Sequence, residues 1–126
     1  MKSKFIKQWI TRAEKDEFVL QHLLPLDKAA GHTCFLSQQM AEKYLKAYLA
    51  FQGKLPPKIH QLETLVLLCS DFSRDFLNLE KEAAWLSTFY IITRYPSEIP
   101  EPTLEDAEKA SKMALKFKTL VLMKIR

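Results

Sequence analysis

One helical strip of this sequence carries polar side chains of the types that bind phosphate. Within SQQMAEKYLKAYL, residues 37–49, a helical period places four side chains together: Gln39, Glu42, Lys43 and Lys46. Glu42 and Lys46 are four residues apart, so they can form an ion pair on the helix surface. Alternatively the strip faces an anion, with Lys43 and Lys46 on phosphate groups and Gln39 hydrogen-bonded to a base or backbone. Both interpretations stay open.

A histidine follows in PPKIHQL, residues 56–62. The two prolines end the preceding element, and we expect His60 in the first turn of a helix that spans residues 58–70. The imidazole is either partly buried and hydrogen-bonded to a neighbouring turn, or an acid or base that works near neutral pH.

The third feature is RYP, residues 94–96, at the end of a long predicted helix. Arg94 either donates to the last carbonyls of that helix or presents its planar guanidinium to a phosphate beside the rigid turn at Pro96. Tyr95 adds a phenol that can stack on a base or donate a hydrogen bond, but it is a poor general base at neutral pH. The candidate catalytic residues are therefore Arg94, His60 and Tyr95, and the candidate phosphate contacts are Gln39, Lys43, Lys46 and Arg94.

Metal, cofactor and thiol chemistry have little support in the sequence. No second His or Cys stands three or four residues from any of the histidines, which are His22, His32 and His60. Gly31 and Gly53 stand alone and form no phosphate-binding glycine loop. Cys34 and Cys69 lie among apolar residues, which indicates reduced core thiols. We expect neither a metal nor a cofactor.

The charge and the apolar pattern favour a cytoplasmic protein without a membrane partner. The net charge of +4, from 19 Lys and Arg against 15 Asp and Glu, permits phosphate binding but does not demand it. The first residues are charged throughout and lack the apolar region of a signal peptide. Apolar runs such as residues 65–69 are too short to cross a bilayer.

Five helices are predicted to position these residues. Helical periodicity, prolines and a terminal glycine place the first four at residues 3–24, 28–52, 58–70 and 74–94. Three prolines exclude a helix from residues 95–102, after which Thr103 and Asp106 indicate the N-cap of a fifth helix that ends in Lys124 and Arg126. We therefore predict one all-α domain over residues 1–126, an up-and-down antiparallel bundle of four or five helices.

The second predicted helix carries more apolar surface than one contact needs. Its apolar residues cover well over half of its circumference, whereas a helix in a monomeric bundle needs a stripe of only about 100°. The helix is either central and buried or part of a symmetric dimer interface. A second apolar surface predicted opposite the core face of the fourth helix favours the dimer: Trp85, Phe89 and Ile92.

In their order and spacing, these features resemble the HEPN family of prokaryotic helical bundles. The resemblance covers nearly the whole chain and rests on four landmarks. They are Trp9 with Ala13; the QQ-AEK-LKA pattern within residues 38–47; the PK-H-L pattern of Pro57, Lys58, His60 and Leu62; and the RYP of Arg94, Tyr95 and Pro96.

The resemblance implies an antiparallel bundle that is usually a homodimer and is paired with a minimal nucleotidyltransferase, often as a toxin–antitoxin couple. Together with the resemblance, the residues lead us to predict a HEPN-type nucleotide- or RNA-associated binding module, in which Arg94, Lys43 and Lys46 contact phosphate. Many members resemble metal-independent endoribonucleases with an Arg followed four to six residues later by a His. No His follows Arg94 here, which favours the binding module. The alternative functions are an endoribonuclease toxin, in which Arg94 binds phosphate and His60 or Tyr95 has an auxiliary role, and a ligand-free scaffold.

Overall fold

The chain folds into an all-α bundle. A computed structural model describes residues 2–125, with side chains from residue 3 onward, and contains five α-helices and no strand in that range. The helices are α1 (Lys2–Leu23), α2 (Ala30–Phe51), α3 (Leu62–Ser70), α4 (Glu80–Ile92) and α5 (Leu104–Lys124). Short 3-10 helices, Asp27–Ala29 and Arg74–Leu79, precede α2 and α4. The predicted fold class is confirmed. Arg126, predicted to end the fifth helix, lies outside the described residues.

Helix α2 is the centre of the bundle. It packs against α1, α3, α4 and α5, and 15 of its 22 residues are buried. This central position accounts for the wide apolar surface of α2, so that surface does not require a dimer interface. No described helix combines the length and the apolar character needed to span a membrane.

Helix α5 closes the bundle on α2, and its start is defined by a capping box. The Thr103 hydroxyl accepts a hydrogen bond from the Asp106 N–H, and the Asp106 carboxylate accepts one from the Thr103 N–H. Each interaction satisfies a backbone donor that the first helical turn leaves unpaired. The predicted cap is confirmed, and it holds the end of the proline-rich connection that follows Arg94.

Two predicted helix boundaries are wrong. Helix α3 begins at Leu62, not at residue 58, so His60 lies in a non-helical segment before the helix. The His60 carbonyl accepts from the Gln38 side chain, and the Leu62 N–H donates to the Ser87 hydroxyl, so both groups are engaged outside α3. The fourth predicted helix is divided, because Arg74–Leu79 is a 3-10 helix and α4 starts at Glu80.

The predicted second apolar surface on the fourth helix is also wrong. Phe89 is buried in the core and does not face away from it. Trp85 packs edge-on against Phe89, with 4.8 Å between ring centroids, and the Lys109 ammonium of α5 lies 4.3 Å from the Trp85 ring centroid. Among the large apolar side chains of α4, the exposed one is Ile91, at 65%.

Candidate functional site

A buried carboxylate lies at the centre of the candidate site. Glu42 is only 5% exposed, and its oxygens accept from the Lys46 ammonium at 3.1 Å and from the Gln38 amide at 3.2 Å. The third partner is the Nδ1 atom of His60, 3.1 Å from Oε1 of Glu42. A buried charge persists only when it is paired and hydrogen-bonded, and these three partners meet that condition.

The ion-pair interpretation of the polar strip is confirmed. Lys46, like Glu42, is 5% exposed, so the pair lies inside the protein and not on a solvated face. Lys43 is paired as well, since its ammonium lies 2.6 Å from Oδ2 of Asp16. Burial raises the pKa of Asp16 above its ordinary value, and the hydrogen bond from Lys43 opposes that shift. Both lysines predicted to contact phosphate are therefore engaged with carboxylates.

Gln38 links the polar strip of α2 to the α2–α3 connection, the segment between those two helices. Its amide nitrogen donates both to Glu42 and, at 3.0 Å, to the backbone carbonyl of His60. Its carbonyl oxygen accepts from the Gln39 amide at 2.7 Å. Gln39, predicted to contact a base or backbone, therefore supports Gln38, which in turn holds the backbone of His60 beside Glu42.

His60 is oriented by Glu42 on one side and by an aromatic ring on the other. Its side chain is 45% exposed and stacks on Tyr90 of α4, with ring centroids 4.2 Å apart and planes 15° from parallel. Because the carboxylate can only accept, Nδ1 is the donor, and the neutral imidazole carries its lone pair on Nε2. Nε2 makes no hydrogen bond within the described part of the chain, so it is available to a ligand.

Tyr90 also contacts Arg94 and so brings together two of the three candidate catalytic residues, His60 and Arg94. The Arg94 guanidinium carbon lies 4.9 Å from the Tyr90 ring centroid, and the side chain is exposed. No hydrogen bond among residues 2–125 joins this guanidinium to the carbonyls at the end of α4, which was the alternative prediction. Residues His60, Tyr90 and Arg94 form one contiguous surface, named here the His60–Arg94 cluster.

A wide cavity opens on the other side of Arg94. It has a volume of about 760 Å³ and lies between the start of α2 and the connection that leads to α5. Three basic side chains line it, Lys28, His32 and Arg94, against one acidic side chain, Glu101. Tyr95 is a further lining residue and is exposed, so its phenol is accessible. The cavity has room and charge for an anionic group next to the His60–Arg94 cluster.

The family model described as the HEPN domain matches residues 6–124. The chain belongs to the HEPN domain family. It is similar in structure to ST0689, described from its crystal structure as an archaeal HEPN homologue, with a TM-score of 0.77 and 27% sequence identity. That match covers 96% of this chain and 98% of the archaeal chain. No curated protein matches the chain.

The Arg-then-His pattern of the family resemblance places a His after the Arg, whereas the His that shares Tyr90 with Arg94 here precedes it in the chain. His60 comes from the α2–α3 connection, 34 residues before Arg94, and reaches it through Tyr90. The described residues contain no group of three His, Cys, Asp or Glu side chains arranged to hold a metal ion.

Tyr90 was missed as a site residue because helical spacing assigns it to the apolar core face of α4. Its position four residues before Arg94, one helical turn away, is the signal that could have found it.

Proposed function

We propose that this HEPN domain binds RNA or nucleotides through the His60–Arg94 cluster and the adjoining cavity. The observation that carries the proposal is the exposed Arg94 guanidinium, which lies on the Tyr90 ring within reach of that cavity. A guanidinium donates two parallel hydrogen bonds to a phosphate, and an aromatic ring beside it can stack on an unpaired base. Lys28 adds positive charge around the same space, and His32 adds an imidazole that can hydrogen-bond to a ligand.

The proposal includes a homodimer and a minimal nucleotidyltransferase partner, as the HEPN resemblance implies. Apolar side chains exposed beside the cluster support an interface there: Ile91, Tyr95 and Ile99. A dimer formed through these residues would place two His60–Arg94 clusters near each other. Light scattering on purified wild type and on Ile91→Asp tests this part, and a wild type that is monomeric at micromolar concentration would contradict it.

Arg94→Ala is expected to weaken binding of a short single-stranded RNA by about 10- to 100-fold, because a charged hydrogen-bond donor to phosphate is lost. Fluorescence anisotropy with labelled oligouridine measures the affinity. Arg74→Ala is the matched control, since Arg74 is exposed on the 3-10 helix before α4 and lies outside the cluster. Equal affinity in wild type and Arg94→Ala would rule out the cluster as the binding site. A change in stability alone would favour a ligand-free scaffold.

The second candidate function is metal-independent RNA cleavage, which the His60–Glu42 hydrogen bond favours. In such a reaction Nε2 of His60 takes the proton of a ribose 2′-OH, whose oxygen attacks the neighbouring phosphorus. The new O2′–P bond forms as the P–O5′ bond breaks, and the leaving 5′ oxygen takes a proton from the imidazolium or from water. Arg94 stabilises the charge on the phosphate oxygens, and Glu42 stabilises the imidazolium.

For cleavage, His60→Ala is expected to lower the rate in EDTA by about 10²- to 10⁴-fold while RNA affinity changes little. Gel analysis of a mixed RNA pool, at matched concentrations of folded protein, measures the rate. His22→Ala is the control, since His22 lies at the exposed end of α1. Tyr95→Phe tests the auxiliary role predicted for the phenol. Cleavage that persists in His60→Ala, or its absence in wild type, would reject this candidate and leave RNA binding as the proposed function.

A further inference from the structure

A second surface of the molecule, away from Arg94, carries the chain's excess of basic over acidic side chains. Six of the 19 Lys and Arg residues, but one of the 15 Asp and Glu residues, lie in two segments: residues 3–15 of α1 and residues 53–58 after α2. The remaining residues hold 13 basic and 14 acidic side chains, so they carry a net charge of −1. The two segments are named here the α1 basic face.

A cavity of about 550 Å³ joins the two segments of the α1 basic face. Helix α2 ends just before Gly53, whose positive φ of 81° turns the chain back past α1. The cavity walls are mostly apolar and include Phe5, Trp9 and Leu55. Phe5 is 46% exposed and Leu55 is 94% exposed, so both present apolar surface to solvent at the cavity.

Basic side chains surround this apolar cavity. Arg12, Lys54 and Lys58 line it, and none of the described residues that line it is acidic. Arg12 also lines a second depression of about 550 Å³ on α1, together with Lys4, Lys7 and Lys15. The two depressions share Gln8 and Arg12 and therefore form one basic surface, and aromatic rings line one of them. Neither Arg12 nor Lys58 takes part in an ion pair among the described residues, so both side chains are available to a ligand.

The α1 basic face is physically connected to the His60–Arg94 cluster. The Lys46 ammonium lies 5.6 Å from the Trp9 ring centroid and pairs with Glu42, which holds His60. Lys58 is two residues before His60, so their Cα atoms are at most about 7 Å apart. A ligand that lies along Trp9 and Lys58 can continue to His60 and Tyr90.

We propose that the α1 basic face binds single-stranded RNA, with a base stacked on Trp9 or Phe5 and phosphates contacted by Arg12, Lys54 and Lys58. Single-strand binding surfaces combine a cationic groove with aromatic rings on which unpaired bases stack, and both features are present here. A duplex keeps its bases stacked and cannot place one in the Trp9 cavity. The inference rests on the proposed RNA-binding function and extends its site from one end of α4 to α1.

The decisive variant is Arg12→Glu/Lys58→Glu, compared with Lys81→Glu/Lys112→Glu. Both doubles change the net charge equally, and the control side chains are exposed on α4 and α5. Anisotropy with labelled oligouridine over a range of salt concentrations should show at least a tenfold loss of affinity for the first double. The slope of log affinity against log salt should also fall by about 1.4, since two phosphate contacts are lost. Equal losses in both doubles would overturn the proposal, because only net charge would matter.

Trp9 provides a readout that does not depend on a substitution in the cavity. The chain has two tryptophans, so in Trp85→Phe the fluorescence comes from Trp9 alone. Oligouridine should quench this fluorescence with the same midpoint as the anisotropy titration, because a stacked base contacts the indole. Polyglutamate, added at the same concentration of negative charge as oligouridine, should not quench the Trp9 fluorescence. An unchanged signal with oligouridine, or equal quenching by polyglutamate, would overturn the proposal, the second in favour of an acidic protein segment as the occupant.

The Arg94 variant separates this inference from the proposed function. Loss of RNA affinity in Arg94→Ala with none in Arg12→Glu/Lys58→Glu would contradict the α1 site and leave the cluster in place. Loss in Arg12→Glu/Lys58→Glu alone would support the α1 site and contradict the cluster. Loss in both would support one continuous binding surface.

Discussion

Replacing Glu42 with alanine should lower the free energy of unfolding by about 3–5 kcal/mol, because it leaves the Lys46 ammonium buried without its partner. The same substitution removes the acceptor for Gln38 and for Nδ1 of His60. Chemical denaturation monitored by circular dichroism measures the loss. The variant should also bind or cleave RNA less well at a temperature where it is folded, since His60 is no longer oriented.

Two further variants decide whether the unpaired Lys46 charge causes the loss of stability. Glu42→Ala/Lys46→Met should recover much of the stability, because the double removes both buried charges and leaves an apolar side chain of similar length. Lys116→Ala breaks the more exposed Lys116–Glu82 pair and should cost less than about 1 kcal/mol. If Glu42→Ala cost as little as Lys116→Ala, the Lys46 ammonium would have to reach water through the cavity beside Trp9, and the buried-pair account would be wrong.

The elements that local sequence patterns specify were predicted well. The start of α5 depends on Thr103 and Asp106, which interact within one helical turn, so the capping box is readable without the fold. Gly53 and the prolines after it mark the end of α2 in the same local way. The HEPN landmarks are also short patterns in a fixed order, and the family model confirms the membership that they indicated.

The candidate site was predicted less completely because its contacts join residues far apart in the chain. His60 was expected inside a helix, yet the Gln38 side chain, 22 residues earlier, holds its backbone outside α3. The Glu42–Lys46 spacing predicted the ion pair but not its burial, which depends on how α2 is surrounded by other helices. Tyr90 joins His60 to Arg94 only because α4 packs beside the α2–α3 connection.

Helical periodicity also misled the prediction of an apolar surface on α4. It treats a helix as having one buried face, but Phe89 is buried and Trp85 is partly covered by Lys109 of α5. A helix that packs against neighbours on two sides buries residues that a pattern with one apolar stripe would place on the surface. The proposed dimer therefore rests on the exposed residues beside Arg94 and on the family resemblance, and the Phe89 surface no longer supports it.

Both cysteines should react with iodoacetamide at pH 8 about a thousandfold more slowly in the native protein than in urea. Burial raises the pKa of the Cys34 and Cys69 thiols from an ordinary 9.0 to about 12, which lowers the reactive thiolate fraction by about that factor. Both side chains are also fully buried, and this restricts access of the reagent in addition to the effect of the raised pKa. Mass spectrometry of timed samples, with Cys34→Ala and Cys69→Ala to assign each thiol, measures the two rates.

The raised pKa of the two thiols also predicts how the free energy of unfolding changes at high pH. The unfolded thiols ionise near pH 9.0, while the folded ones stay protonated until about pH 12, so the unfolded state alone loses protons between these values. The stabilisation is therefore complete below pH 9 and decreases as the pH rises toward 12. Cys34→Ala/Cys69→Ala should show a weaker decrease than wild type over this range. Rapid labelling of either thiol at pH 8, at a rate near that in urea, would instead mean that α2 or α3 opens readily. In that case the buried Glu42 network could not have the stability that the Glu42→Ala prediction requires.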